Sequence, residues 1–466
     1  MKKSIIWTLV IGLLIGGILT WAVNPKAAAV IRQPLVAPGE YDKYYGFLSG
    51  GPAGDVRVVG IPSMRLLRRI PVFEASAQYN YGMENDSVDL GENSWADSHH
   101  PVLSEKAGDY DGRWLFIHDK PNSRVARIDL STWKTDKITE LPNVQGVHGT
   151  AVHPDTKYLT ASGEYLIPIP NDARAPLEEY KSAVSFVDPE TMKVEFQVLA
   201  PQTDNLDWGK GGKQLFGTVY NMEGAMTIEG MIRDDQDAVA VFNLPIIEKA
   251  YAEGNYTEIN GVPVIDPQKI GNGVEVIPHG QGKQRDAAPM YLIEVPKNPH
   301  GVDVTPDGKY AIANGKLSPT VSIIDTKTLQ VLVEPNVGLG PLHTTYDGRG
   351  NGYTSNFIDS QVVKWDIDKA VAGDPDFIID RIDVHYNPGH VQAVEAETVN
   401  PAGDWLLSLN KLSKDRYVDV GPDMPENDEL INISGQKMRM VMEAPMDLEP
   451  HDAVFISADK LLQTNR

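Results

Sequence analysis

Seven of the eleven histidines stand where a short loop gives way to a strand: His99, His100, His148, His300, His343, His390 and His451. His148-Gly149-Thr150-Ala151-Val152-His153-Pro154-Asp155 and His300-Gly301-Val302-Asp303-Val304-Thr305-Pro306-Asp307 are near copies of one template, and His343-Thr344-Thr345-Tyr346-Asp347-Gly348 is a shorter one. A residue type that recurs at one position of a repeat is placed there by more than core filling. If the repeats are arranged about an axis, the imidazoles converge on it, and converging imidazoles bind transition metals. His118, His153, His279 and His385 fall outside the pattern and read as ordinary residues.

The elements that must carry these histidines are strands. A second motif places a small or polar residue, then Val or Met, before alternating apolar residues. Copies occur at Asp55–Val59, Arg124–Asp129, Ala183–Asp188, Ala238–Phe242, Thr320–Asp325, Gln361–Asp366 and Lys437–Val441. Period-2 alternation broken by Pro-Asp-Gly-type turns predicts antiparallel strands. Seven such units predict an all-β chain, a seven-bladed β-propeller, in which the innermost strand of each blade lines a central channel. The histidines open those strands and should crown one end of the channel. The copy at Val56 precedes every histidine and is expected to supply an outer strand that closes the ring with the C-terminal unit. Longer gaps are insertions; Ile246–Gly254 reads as a short helix.

Composition narrows the chemistry. The net charge of −22 argues against nucleic acid and anionic membrane surfaces as partners. The sequence has no cysteine, which excludes disulfides, iron–sulfur clusters and thiolate copper sites. Any metal is therefore held by nitrogen and oxygen, or by ligands that are not protein. The chain opens on Met1-Lys2-Lys3, an uncharged run from Ile5 to Val23 and Ala27-Ala28-Ala29, the layout of a secretory signal. An uncleaved membrane anchor is the alternative; either way the body of the chain is expected in the periplasm. The expected organisation is a signal or anchor over 1–29, an extension over 30–50, the propeller over 51–460 and a tail over 461–466.

Asp97-Ser98-His99-His100-Pro101, His148-Gly149-Thr150, Asn298-Pro299-His300-Gly301, Gly340-Pro341-Leu342-His343, Asn387-Pro388-Gly389-His390 and Glu449-Pro450-His451-Asp452-Ala453 together resemble nitrous-oxide reductase. The resemblance covers nearly all of the chain after the leader. It implies that the seven histidines ligate CuZ, a tetranuclear copper–sulfide centre whose inorganic sulfide needs no cysteine. The implied reaction is N2O + 2H+ + 2e− → N2 + H2O, the last step of denitrification. Lys411 and Glu449 match charged positions near that centre and are the candidates for hydrogen bonding or proton delivery. Tyr220, Glu223, Met231, Asp237 and Asn298 match a calcium site, with Met231 offering its carbonyl, and Lys411 and Glu426 match a second. Oxygen donors of this kind are what calcium takes.

The family also carries a C-terminal cupredoxin domain with a binuclear copper centre, CuA, that needs two cysteines and serves the partner subunit of a homodimer. CuA cannot form from this cysteine-free sequence. The closing Leu461-Leu462-Gln463-Thr464-Asn465-Arg466 has no domain character, so a truncated product is expected, with a propeller fed by a separate periplasmic cytochrome c or cupredoxin as the other possibility. From a different class, the competing reading is a non-catalytic periplasmic propeller that binds a partner and does no redox chemistry.

Overall fold

Alternating residues form strands here because each strand hides one or both faces against a neighbouring sheet. The computed structural model describes residues 36–73, 96–169, 180–219, 237–282, 287–413, 416–418, 425–447 and 449–464. Met1–Glu40 separates as one unit, and Tyr41–Arg466 is the other and holds every strand.

Seven sheets make a seven-bladed propeller. Blade 1 pairs Val102–Lys106, Asp109–Asp119, Arg124–Asp129 and Lys134–Glu140 in order. Blade 2 runs Val147–Val152, Leu159–Gly163, Tyr180–Asp188 and Lys193–Ala200, and blade 3 runs Leu206–Trp208, Gln214–Val219, Ala238–Asn243 and Met290–Glu294. Blades 4, 5 and 6 begin at Pro299–Val304, Pro341–Tyr346 and Pro388–Ala393. Blade 7 is shared between the two ends of the sequence: Ala453–Ser457 is innermost, followed by Tyr44–Ser49, Asp55–Ile61 and Arg65–Pro71. The expected closure by the segment around Val56 is what the sheet shows, and pairing reaches back past residue 51 to Tyr44 against Ser457.

The insertion after the third strand of blade 3 contains the helix Leu244–Ala252, as the sequence predicted, started by Pro245 in its first turn. It then returns strands to two blades in parallel pairing, Val262–Ile265 on blade 2 and Val274–Ile277 on blade 3. A last helix, Ala458–Thr464, follows the inner strand of blade 7.

Six of the seven repeat copies are third strands of their blades. The copy at Lys437–Val441 is not. It leads into the outer strand Arg439–Met446 of blade 6, whose third strand is the acidic Glu426–Asn432. Alternation alone does not separate a third from a fourth strand when both bury one face.

The core is a ring of apolar clusters, one between each pair of adjacent blades. The cluster between blades 2 and 3 gathers Phe186, Phe196, Trp208 and Phe242, all nearly or fully buried. The one between blades 6 and 7 joins Leu407 and Leu409 to Phe455 and Leu48, so the closing strands are held by packing as well as by hydrogen bonds. This stiff ring fixes where each inner strand begins.

Candidate metal centre

The inner strands of blades 2, 4, 5 and 6 carry His148, His300, His343 and His390 within their first three residues. His99-His100 and His451 sit in the turns just ahead of the inner strands of blades 1 and 7. All seven side chains are buried. Each histidine on an inner strand lies in a break of register: between Val147 and Thr150, Pro299 and Val302, Pro341 and Thr344, and Pro388 and Val391. Such bulges leave residues out of the ladder and re-aim side chains, which here turns the imidazoles toward the axis. Asn298, Asn387 and Glu449 adopt left-handed backbone, φ of 55°, 51° and 58°, directly before the prolines that lead into three of these turns.

The neighbouring glycines are needed for room. A Cβ on Gly301 would lie 2.5 Å from His343 Nδ1, and one on Gly149 would lie 2.7 Å from the Asp204 carbonyl. Gly301→Ala is therefore expected to displace the His343 ring and destabilise the propeller by about 1–3 kcal/mol. Thermal denaturation and copper content per chain check this, and wild-type values in both would contradict it.

The rings converge. His99, His100, His148 and His451 each offer a ligand atom within 4.8 Å of the others, and so do His100, His390 and Asp452. His100 Nε2 faces His451 Nε2 at 3.1 Å, and His300 Nδ1 faces His343 Nε2 at 3.1 Å. The His343 and His390 rings stack with centroids 3.4 Å apart. His99 Nε2, His390 Nε2 and His451 Nδ1 are buried without a hydrogen-bond partner among the described residues. Burial pushes His99, His148, His300, His390 and His451 well below the usual imidazole range, with the Lys120 or Lys411 ammonium adding to the shift at most of them. These five rings are thus neutral at neutral pH, the form that binds metal.

Aspartates stand beside the Nδ1 atoms of several of these rings. Asp452 takes His100 Nδ1 at 3.3 Å on one oxygen and His390 Nδ1 at 3.1 Å on the other. Asp204 lies 3.1 Å from His148 Nδ1 and 3.7 Å from His300 Nδ1, and Asp97 lies 3.3 Å from His99 Nδ1. The two histidines outweigh burial at Asp452 and hold its carboxyl far below the usual range. These acids were absent from the sequence-based site. Asp204 stands just ahead of the inner strand of blade 3, the one blade that brings no histidine to the axis; its place in the repeat is the signal that would have found it.

His118, expected to be ordinary, belongs with the cluster. It ends the second strand of blade 1, fully buried, with its ring centroid 5.4 Å from that of His100 and its Nδ1 2.5 Å from Thr150 Oγ1. His153 packs on Trp208, and His279 pairs with Glu334 in an exposed position, both away from the axis.

Lys411 and Glu449 meet at the rim, with Nζ 3.8 Å from Oε1. Burial lowers the Lys411 ammonium from its ordinary value, and Glu449 opposes that shift. The Glu449 amide donates to Glu426 Oε2 at 3.0 Å, which brings three of the expected charged residues together. Asp237 Oδ2 accepts from the Asn298 amide at 2.6 Å, while the buried Asn298 side chain has no partner for Oδ1 or Nδ2 among the described residues. Tyr220, Glu223 and Met231 lie outside the described residues.

Two sequence-family models match the chain: nitrous oxide reductase propeller repeat over residues 381–451 and nitrous oxide reductase propeller repeat 2 over residues 141–207. Nitrous-oxide reductase of Pseudomonas fluorescens is 44% identical over 471 aligned residues, covering 95% of this chain and 72% of that protein. Its counterpart in Stutzerimonas stutzeri is 42% identical, covering 96% and 73%. Among solved structures, a hypothetical selenium-binding protein from Sulfolobus tokodaii superposes with a TM-score of 0.55 at 11% identity, covering 89% of this chain and 94% of that one, a likeness of fold alone. Identity above 40% along nearly the whole sequence, with repeat matches that take in His148, His390 and His451, makes this chain a member of the nitrous-oxide reductase family.

Proposed function

We propose that the histidine cluster holds a copper–sulfide centre and that the protein reduces nitrous oxide there to dinitrogen and water. The observation that carries this reading is the convergence of seven buried imidazoles on the propeller axis, three with unpartnered ring nitrogens. Neutral imidazole suits copper, and carboxylates on the outward nitrogens fix tautomer and ring orientation. When bound, the centre would supply electron-rich copper, able to pass to nitrous oxide the two electrons that N–O cleavage requires.

The chain's own residues do the rest. Asp452, Asp204 and Asp97 aim the rings. Lys411, a half-buried ammonium beside Glu449, is placed to donate a hydrogen bond or a proton to the departing oxygen. Asp237 and Asn298 would supply one side of a calcium site for which the family resemblance names Tyr220, Glu223 and Met231 as further ligands, and Glu426 with the Lys411 carbonyl would supply a second. The first lies two residues from His300 and would pin the loop that carries it. Electrons come from outside these cysteine-free residues, from a periplasmic cytochrome c or cupredoxin or from a CuA centre elsewhere. An export signal or anchor over residues 1–29 supports work in the periplasm, and the family resemblance supports a homodimer.

Protein matured in a denitrifying host tests the reading. Copper and acid-labile sulfide in the purified chain, with dinitrogen formed from nitrous oxide and a reduced viologen, are expected. Copper-free protein from that host would sink it in favour of a binding propeller.

A further inference from the structure

Beneath the histidines a cavity of about 60 Å³ occupies the channel, room for a few water molecules. His100, His343, His390 and Asp452 line one end of it, and Glu105, Asp207 and Glu397 line the other. Its side walls alternate apolar and polar groups, with Val102, Leu206 and Val302 beside Thr150, Thr345 and Asp303. Carboxyls gathered at the end of a channel that reaches a reaction centre need a reason, because burying acids is costly.

We propose that this cavity is the route by which protons reach the centre, with Glu397 as the relay carboxyl and with Glu105 and Asp207 resupplying it. The proposal rests on the copper–sulfide reading above. Two hydrogen bonds fix Glu397 in place, since Tyr110 Oη donates to its Oε2 and Gln392 Nε2 to its Oε1, both at 2.9 Å. Tyr110 and Glu105 face it from blade 1, Asp207 and Lys210 from blade 3, and Asp452 from blade 7. The Lys210 ammonium donates to the Glu397 backbone carbonyl at 2.5 Å rather than to its carboxylate. Burial first, then the negative charges of Asp452 and Asp207, push the Glu397 carboxyl up to about 8. Burial does the same to Glu105, against the pull of Lys210, and lifts Asp207 to about 6. At neutral pH Glu397 and Glu105 therefore carry protons, which makes them donors.

Each turnover consumes two protons and two electrons for one nitrous oxide. The electrons come from the external donor. A proton leaves Glu397 for cavity water and passes to the oxygen released from nitrous oxide, which ends as water. Glu397 recovers its proton from the Glu105 and Asp207 end. Turnover limited by this relay declines as pH rises through about 8, because the donor is then ionised.

The experiment uses Glu397→Gln and Glu105→Gln, which keep shape and remove the proton. Infrared spectra of the metal-free chain report protonation directly: the wild type is expected to show a neutral-carboxyl carbonyl band at pH 7 that weakens in each variant. In copper-loaded protein driven by reduced viologen, Glu397→Gln is expected to lower kcat by on the order of 10²-fold. Copper, sulfide and the KM for nitrous oxide should hold, the solvent deuterium isotope effect should rise, and Glu397→Asp should restore part of the rate. A fully loaded Glu397→Gln protein with wild-type rate and isotope effect overturns the relay. So does a cation bound at these carboxylates in the wild type and lost in the variant. A loaded wild type that does not turn over removes the functional reading itself, whereas an active wild type beside an unimpaired variant removes only the relay.

Discussion

His148→Ala is expected to leave the propeller folded but unable to load copper, and to abolish nitrous oxide reduction. His148 shares a 4.8 Å neighbourhood with His99, His100 and His451. Its Nδ1 is engaged by Asp204, which leaves Nε2 as the atom for a metal. Removing it opens the centre at its most crowded point, and no other described side chain of blade 2 is placed to substitute except Glu164, which is tied to Lys120 by an ion pair of 2.6 Å. The stability cost of the vacated volume is about 1–3 kcal/mol, small against a seven-bladed ring. Copper per chain after maturation, alongside the melting temperature, separates the two effects. Full copper in a folded His148→Ala protein would contradict the assignment of His148 as a ligand.

Asp452→Asn is expected to weaken copper retention by about 10–100-fold without removing a ligand. The argument is one of tautomers. Each Asp452 oxygen accepts from one imidazole, His100 on one side and His390 on the other. An asparagine has a single acceptor oxygen and turns a donor NH2 toward the other ring. That ring must then carry its proton on Nε2, the atom that faces the cluster, and a protonated nitrogen does not bind metal. His100→Ala or His390→Ala would remove one ligand; Asp452→Asn disorders the orientation of one while both remain. Copper loss against a competing chelator measures the effect, and retention equal to wild type would show that Asp452 does not set the tautomers. Asp204→Asn tests the same logic at His148, whose Nδ1 lies 3.1 Å from the Asp204 carboxylate.

Much of this was legible in the residues. The seven histidines, their order, the repeat and the ring closure near Val56 follow from motif spacing and alternation, and the structure puts all seven together on the axis. The lack of cysteine confined the metal chemistry to nitrogen and oxygen donors or to ligands that are not protein. Lys411 and Glu449 were named from resemblance, and the fold does bring them within 3.8 Å.

The rest was decided by the tertiary structure, because it depends on which backbones pair and with what register. Strand alternation sends successive side chains to opposite faces, so sequence alone leaves the direction of each imidazole open. The bulges at His148, His300, His343 and His390 settle it. Asp204 joins the site because blade 3 places an acid where other blades place histidine, and His118 joins it because its strand runs beside the His99-His100 turn. Asp452 can bridge His100 and His390 only after the two ends of the sequence have met in blade 7, which brings residues 100 and 452 side by side. The sequence by itself determined which donors this protein has and in what order they recur. Ring closure and local register decided where those donors point, since orientation is set by strand pairing within each blade and by contacts between residues hundreds of positions apart, neither of which spacing along the chain encodes.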